Sequence, residues 1–188
     1  MPQQLKDRRI AILATDGFEQ SELVEPKQAL SAAGARVDVV APKAGSIRGW
    51  KTDDWGDEVA VDVPLAEAQA EAYDALVLPG GVLNPDHLRS DAAAVGFVRS
   101  FFEQHKPVAA ICHGPWTLVE ADVLEGRRVT SYASIRSDLI NAGAHWEDAE
   151  VVEDDGLVTS RNPHDIPAFN RKVAEVVAAS RATAHKAA

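Results

Sequence analysis

Short apolar runs set between longer amphipathic stretches constrain this chain more than any other feature. "RRIAILAT" (8–15) is a continuous apolar run rather than an alternating one. A strand needs that pattern when helices cover both faces of its sheet, as crossover connections in a parallel sheet make them do. "ARVDVVAP" (35–42), "ALVLPGG" (75–81) and "PVAAIC" (107–112) read as further strands. Between them, "SELVEPKQALSAAG" (21–34) predicts a helix with Ser21 as N-cap and Gly34 as its stop. Pro26 inside it marks a kink or a later start. "AEAQAEAYD" (66–74) predicts a short helix, and "DAAAVGFVRSFFEQHK" (91–106) a longer one capped by Asp91. "PWTLVEADVL" (115–124) predicts a helix with Pro115 in its first turn, and "IPAFNRKVAEVVAASRA" (166–182) the closing helix. Segments 128–133, 137–143 and 156–161 complete the alternation. The order β-α-β-β-α-β-α-β-α-β-α predicts an α/β fold: a mainly parallel sheet in a three-layer sandwich, helices on both faces. Sites in such folds lie at the carboxyl ends of the strands. Segment 43–64, rich in Gly, Asp and Trp, breaks the rhythm and predicts an antiparallel hairpin. The tail "ATAHKAA" reads as a frayed helix end or an unstructured terminus.

Composition then narrows the function. A length of 188 residues favours one domain, spanning 1–188. A formal net charge of −10 repels phosphate backbones and argues against a nucleic-acid partner. The single cysteine excludes an intramolecular disulfide and fits a reducing cytoplasm. The N-terminal "MPQQLKDRRIAILATDGFEQ" lacks an apolar stretch long enough for a signal peptide, and the other apolar runs are too short to span a membrane. His87, His105, His145 and His164 are scattered, without zinc-ligand spacing, so no metal is indicated. Neither a G-x-G-x-x-G fingerprint nor a Walker motif is present, so no nucleotide cofactor is expected.

The one cysteine, Cys112, ends the run "PVAAIC" and is followed at once by His113, Gly114 and Pro115. A strand–nucleophile–helix turn of this kind is an elbow that lifts the side chain above the sheet. The N–H groups of the following helix favour a thiolate, which predicts a lowered thiol pKa. The alternative is a small buried hydrophobe, as many free cysteines are. His113 is either a general base for that thiol or a histidine hydrogen-bonded within the turn. Gly80 and Gly81 end a strand in "LPGG". They form either an ordinary tight turn or, with the N–H groups of His113 and Gly114, an oxyanion hole. Glu19, in "DGFEQSE", is either a helix-start acid or a protonated carboxyl held against the sulfur. Trp116 is a packing residue or a pocket wall. Trp50, Trp55 and Trp146 read as packing or interface residues.

Taken together, "DGFEQSEL", "DALVLPGG", "NPDHLR", "PVAAICHGPW", "GRRVTSYASIRSDLINAGAHWEDAEVV" and "LVTSRNPHDIPAF" resemble the ThiJ/PfpI superfamily. The likeness runs from about residue 8 to 178 and leans toward the PfpI-type intracellular protease and general stress protein branch. It implies a flavodoxin-like domain, related to class I glutamine amidotransferases, with Cys112 as nucleophile and His113 as its partner. It further implies Glu19 at the sulfur, Gly80 and Gly81 in the oxyanion loop, and no cofactor. Asp86, in the loop "VLNPDHLR", matches an acid that completes a triad from a neighbouring subunit, which implies a homo-oligomer, at least a dimer. The activity implied is that of a cytoplasmic stress-response hydrolase. Its thiolate would add to small carbonyl compounds or to modified proteins, in glyoxalase III or deglycase fashion. A PfpI-type cysteine peptidase and a redox sensor or chaperone-like protein without turnover are the alternatives.

Overall fold

The computed structural model describes residues 4–180. The first half of the chain runs β1 (Arg9–Leu13), β2 (Phe18–Glu19), α1 (Gln20–Ala32), β3 (Arg36–Ala41), β4 (Ser46–Lys51), β5 (Asp54–Ala60), β6 (Val63–Pro64) and β7 (Ala75–Leu78). It continues with α2 (Leu83–Arg89), α3 (Ala92–Glu103), β8 (Val108–Ile111), α4 (Pro115–Glu120), β9 (Arg128–Val129) and α5 (Arg136–Asn141). The last elements are β10 (His145–Trp146), β11 (Val151–Asp154), β12 (Leu157–Ser160) and α6 (Ile166–Ala179).

Seven strands form the central sheet in the order β11-β12-β8-β7-β1-β3-β6. All pairs in it are parallel except β11 with β12. The period of two along each strand explains the continuous apolar runs. Ile10 and Ile12 of β1 face one side, with Leu23 and Leu30 of α1 and Phe169, Val173 and Val177 of α6. Ala11 and Leu13 face the other, with Phe97, Val98 and Phe101 of α3 and Leu118 of α4. Both faces of the sheet are buried.

Several local expectations change. The chain passes from β2, paired with β4, straight into α1, so the helix begins at Gln20. Ser21 lies inside it and is not its cap; its hydroxyl donates to Glu19 Oε1 at 3.3 Å. Asp91 does cap α3, accepting from the N–H groups of Ala93 and Ala94 at 2.8 and 3.3 Å. Residues 66–74 form no single helix but two 3-10 turns, Leu65–Glu67 and Ala70–Ala72. Nine residues are too few to hold an α-helix without strong packing, and single tight turns result. Residues 83–89, read as loop, form α2. Segment 43–64 holds the antiparallel β4–β5 hairpin, with Trp50 opposite Trp55. Residues 128–133 contribute only β9, which pairs with β10 outside the central sheet. The tail and the last two residues of the predicted closing helix lie outside the described residues.

At the end of the sheet away from the elbow, Asp38 gathers charge. It is 4% exposed and accepts from Arg9 Nη2 at 2.8 Å, Arg36 Nε at 3.1 Å and Tyr73 Oη at 3.2 Å. Burial and the neighbouring Asp38 charge push the Tyr73 phenol up to about 12. Replacing Asp38 with Ala strips three donors of one acceptor. Arg36 is largely exposed and Arg9 partly so, which screens their share. A loss of about 2 kcal/mol is expected in urea unfolding, dominated by the lost hydrogen bonds of Arg9 and Tyr73 to the buried carboxylate. Unchanged stability would mean that solvent replaces the aspartate.

Candidate active site

β8 lies between β7 and β12, so its carboxyl end is flanked by the Gly80–Gly81 turn and by the segment after Ser160. The residue just past β8 is Cys112, with φ 62, in the left-handed region that a side chain disfavours. Backbone hydrogen bonds on three sides hold it there. Cys112 N–H donates to Ser160 O at 3.0 Å, Tyr132 N–H donates to Cys112 O at 2.9 Å, and Gly114 N–H donates to Ile111 O at 2.9 Å. Strain of this kind persists only where the surroundings over-determine the conformation. The two flanking glycines are steric requirements. A Cβ on Gly80 would lie 2.7 Å from Cys112 Cβ and 2.6 Å from Glu22 Oε2, and one on Gly114 would lie 2.5 Å from Leu78 O.

The sulfur is enclosed. Cys112 and His113 are each 7% exposed. Sγ lies 3.1 Å from His113 Nδ1, and His113 Nε2 lies 3.0 Å from Ser134 Oγ. Tyr132 stacks on the His113 ring with centroids 4.7 Å apart, and Trp116 meets it edge-on at 5.4 Å. The Trp116 indole N–H donates to Asp138 Oδ2 at 2.6 Å, which sets the angle of that wall. The backbone N–H groups of Gly81 and His113 donate to the sulfur. Those of Gly80 and Gly114 are committed elsewhere, to Glu22 Oε2 at 2.9 Å and to Ile111 O. Of the four expected oxyanion donors, the fold therefore turns two toward the sulfur.

The carboxyl at the sulfur is that of Glu22, not Glu19. Glu22 is fully buried; Oε2 accepts from Gly80 N–H, and the carboxyl meets the Cys112 thiol. Glu22 Oε1 has no hydrogen-bond partner, a costly position for an ionised oxygen. Burial accordingly pushes the Glu22 pKa up to about 8, against the pull of the Gly80 N–H. Glu19 instead lines an open pocket with Lys51, Thr52 and Pro163. A sequence signal for Glu22 existed: it falls on the buried stripe of α1 with Leu23, Pro26 and Leu30. The expectation of a lowered thiol pKa also fails. Burial, and then the charge of Glu22, push the Cys112 thiol up; the N–H groups of Gly81 and His113 oppose this without overcoming it. The helix after the elbow, α4, has only six residues, too short a dipole to offset desolvation. Burial pushes the His113 pKa down, so the ring is neutral. The resting site is thus a thiol beside a neutral imidazole and a protonated carboxyl.

Asp86 lies on α2 and is exposed. Its carboxylate has no hydrogen bond or ion pair to His113 among the described residues, and its backbone carbonyl accepts from Ser90 Oγ at 3.1 Å. Ser134, which reaches His113, carried no sequence signal: it lies 21 positions away in a 3-10 turn, Ala133–Ile135. No group of three or more His, Cys, Asp or Glu side chains among the described residues could hold a metal ion. No described helix is long and apolar enough to cross a membrane.

Comparison with known proteins agrees with this architecture. The model of the DJ-1/PfpI family matches residues 8–176. Protein/nucleic acid deglycase 2 of Escherichia coli is 44% identical over 174 residues, covering 92% of this chain and 99% of that protein. General stress protein 18 of Bacillus subtilis is 45% identical over 167 residues, covering 88% and 95%. Among solved structures, a two-domain protein of Anabaena variabilis with DJ-1/ThiJ/PfpI-like and ferritin-like domains superposes with a TM-score of 0.85 at 35% identity. That match covers 90% of this chain and 48% of the Anabaena chain.

Proposed function

The chain belongs to the DJ-1/PfpI family, and from that premise we propose that it is a cytoplasmic stress-response hydrolase acting on small electrophilic carbonyls. The observation that carries this is the enclosure of the nucleophile: with Cys112 and His113 each 7% exposed, only a small group can approach the sulfur. The likeness to a deglycase and to a general stress protein supports the same class of chemistry.

For an α-oxoaldehyde such as methylglyoxal, the Cys112 sulfur bonds to the aldehyde carbon while its proton passes to His113 Nδ1, 3.1 Å away. The oxyanion of the resulting hemithioacetal is held by the N–H groups of Gly81 and His113, which already point at the sulfur. His113 then gives the thiol proton to that oxygen and, neutral again, carries the proton of the former aldehyde carbon to the neighbouring carbonyl carbon while the hydroxyl proton passes to the carbonyl oxygen, which converts the hemithioacetal into a thioester of the 2-hydroxy acid. Water then hydrolyses the thioester and returns the thiol. One carbon is oxidised and its neighbour reduced, so no external redox partner is needed. Glu22, neutral beside the sulfur, avoids placing a second negative charge next to the developing anion. Trp116 and Tyr132 serve as the aromatic walls around His113.

A homo-oligomer is part of the proposal. Val82 and Leu83, 55% and 41% exposed, follow the Gly80–Gly81 turn and lead into the helix bearing Asp86. A PfpI-type peptidase would require Asp86 of one subunit to meet His113 of another, yet His113 Nε2 already has Ser134 as a partner. The purified protein should convert methylglyoxal to lactate in equal amounts, with no added thiol or cofactor. No lactate, with Cys112 oxidised stoichiometrically to sulfinic acid by peroxide, would sink this proposal in favour of a redox sensor.

A further inference from the structure

The donors around the sulfur decide which nitrogen of His113 carries its proton. Gly81 N–H and His113 N–H both donate to Sγ. The thiol faces two acceptors, the Glu22 carboxyl and the His113 ring. His113 Nδ1, 3.1 Å from Sγ, is the acceptor that the attacking sulfur can hand its proton to. A neutral imidazole has one N–H, so with Nδ1 accepting, Nε2 must donate. The atom facing Nε2 is Ser134 Oγ, at 3.0 Å. Stacking by Tyr132 and the edge of Trp116 keep the ring from turning out of this line.

We propose that Ser134 is a positioning residue for the Cys112–His113 pair: its hydroxyl accepts the Nε2–H of His113 and so holds the tautomer whose Nδ1 takes the thiol proton. A hydroxyl in this place differs from a carboxylate in one chemical respect. It orients the ring but does not stabilise an imidazolium. The resting pair therefore stays thiol and imidazole, and the sulfur is activated only as it attacks. This rests on the proposed function solely in taking Cys112 and His113 as the reacting pair.

Two measurements test it without any carbonyl substrate, so its failure is separable from failure of the carbonyl chemistry. In the ¹⁵N-labelled wild-type protein at neutral pH, long-range proton–nitrogen correlations of His113 should show protonated Nε2 and bare Nδ1. A ring protonated on Nδ1, or on both nitrogens, overturns the proposal. Alkylation of Cys112 by iodoacetamide, followed by mass spectrometry across pH, reads the consequence. The sulfur bonds to the methylene carbon, iodide leaves, and the thiol proton goes to His113. Ser134→Ala should react about tenfold more slowly at neutral pH, the scale of one lost neutral hydrogen bond. Ser134→Thr should restore the rate. Ser134→Asp should shift the rate profile toward lower pH by favouring the imidazolium. A Ser134→Ala protein with the wild-type rate and pH profile overturns the proposal.

Discussion

Replacing Cys112 with either Ala or Gly is expected to lower methylglyoxal consumption by at least about 10³-fold, while the two variants differ in stability. Both remove the sulfur. Only glycine removes the Cβ from a residue held at φ 62. Alanine keeps the left-handed penalty of about 1 kcal/mol, and glycine escapes it. The glycine variant should therefore unfold at higher urea than the alanine variant, by about 1 kcal/mol. In an ordinary strand or helix the order is the reverse. Strain at the elbow is thus part of how the thiol is aimed, and the native residue is retained at a cost in stability. Equal stability of the two variants would show that the surroundings have relaxed the strain. Retained consumption in either one would remove Cys112 from the chemistry.

Replacing Glu22 with Gln is expected to change how stability depends on pH. Burial raises the Glu22 pKa from 4.5 to about 8, so the folded protein binds a proton that the unfolded chain has already lost in that window. The native state is therefore favoured fully below about pH 4.5, and this advantage drains away as pH rises through about 8. The slope is about 1.4 kcal/mol per pH unit, and the whole effect is on the order of 5 kcal/mol. Glutamine keeps an oxygen for the Gly80 N–H and has no charge to lose. Urea unfolding should find the two proteins similar at the acid end of the window and the glutamine variant progressively more stable toward the alkaline end. Parallel stability curves would mean that Glu22 ionises in the folded protein without penalty. The same measurement bears on mechanism, because the neutral carboxyl beside the sulfur is what leaves His113 as the site's base.

Much of the molecule was legible in local pattern. "RRIAILAT" had to be a strand covered on both faces, because a run without polar alternation has no side to turn to water, and Ile10 and Ala11 do enter opposite cores. Asp91 was readable as a cap because a cap is a contact between near neighbours in sequence. The elbow at Cys112 was readable for a related reason: strand, Cys, His, Gly and Pro are consecutive, so the turn they make is local. Gly80 was ambiguous in sequence and became a requirement only when β7 was found beside β8, with Cys112 Cβ in the space a side chain would need.

The remaining features depended on which distant surfaces meet. Glu19 and Glu22 are three residues apart and chemically alike, and the phase of α1 against the sheet decides which one is buried at the sulfur. The thiol pKa turned on burial as well: a helix N-terminus is visible in sequence, but the removal of water that outweighs it is not. Ser134 reaches His113 because the segment after β9 crosses the elbow, with Tyr132 N–H bound to Cys112 O. Sequence alone determined the central strands, the layers and the place of the cysteine at the elbow, since each follows from neighbouring residues. Only the tertiary structure decided the protonation and the partners of that cysteine, because desolvation and hydrogen bonding act between groups that the chain brings together from far apart.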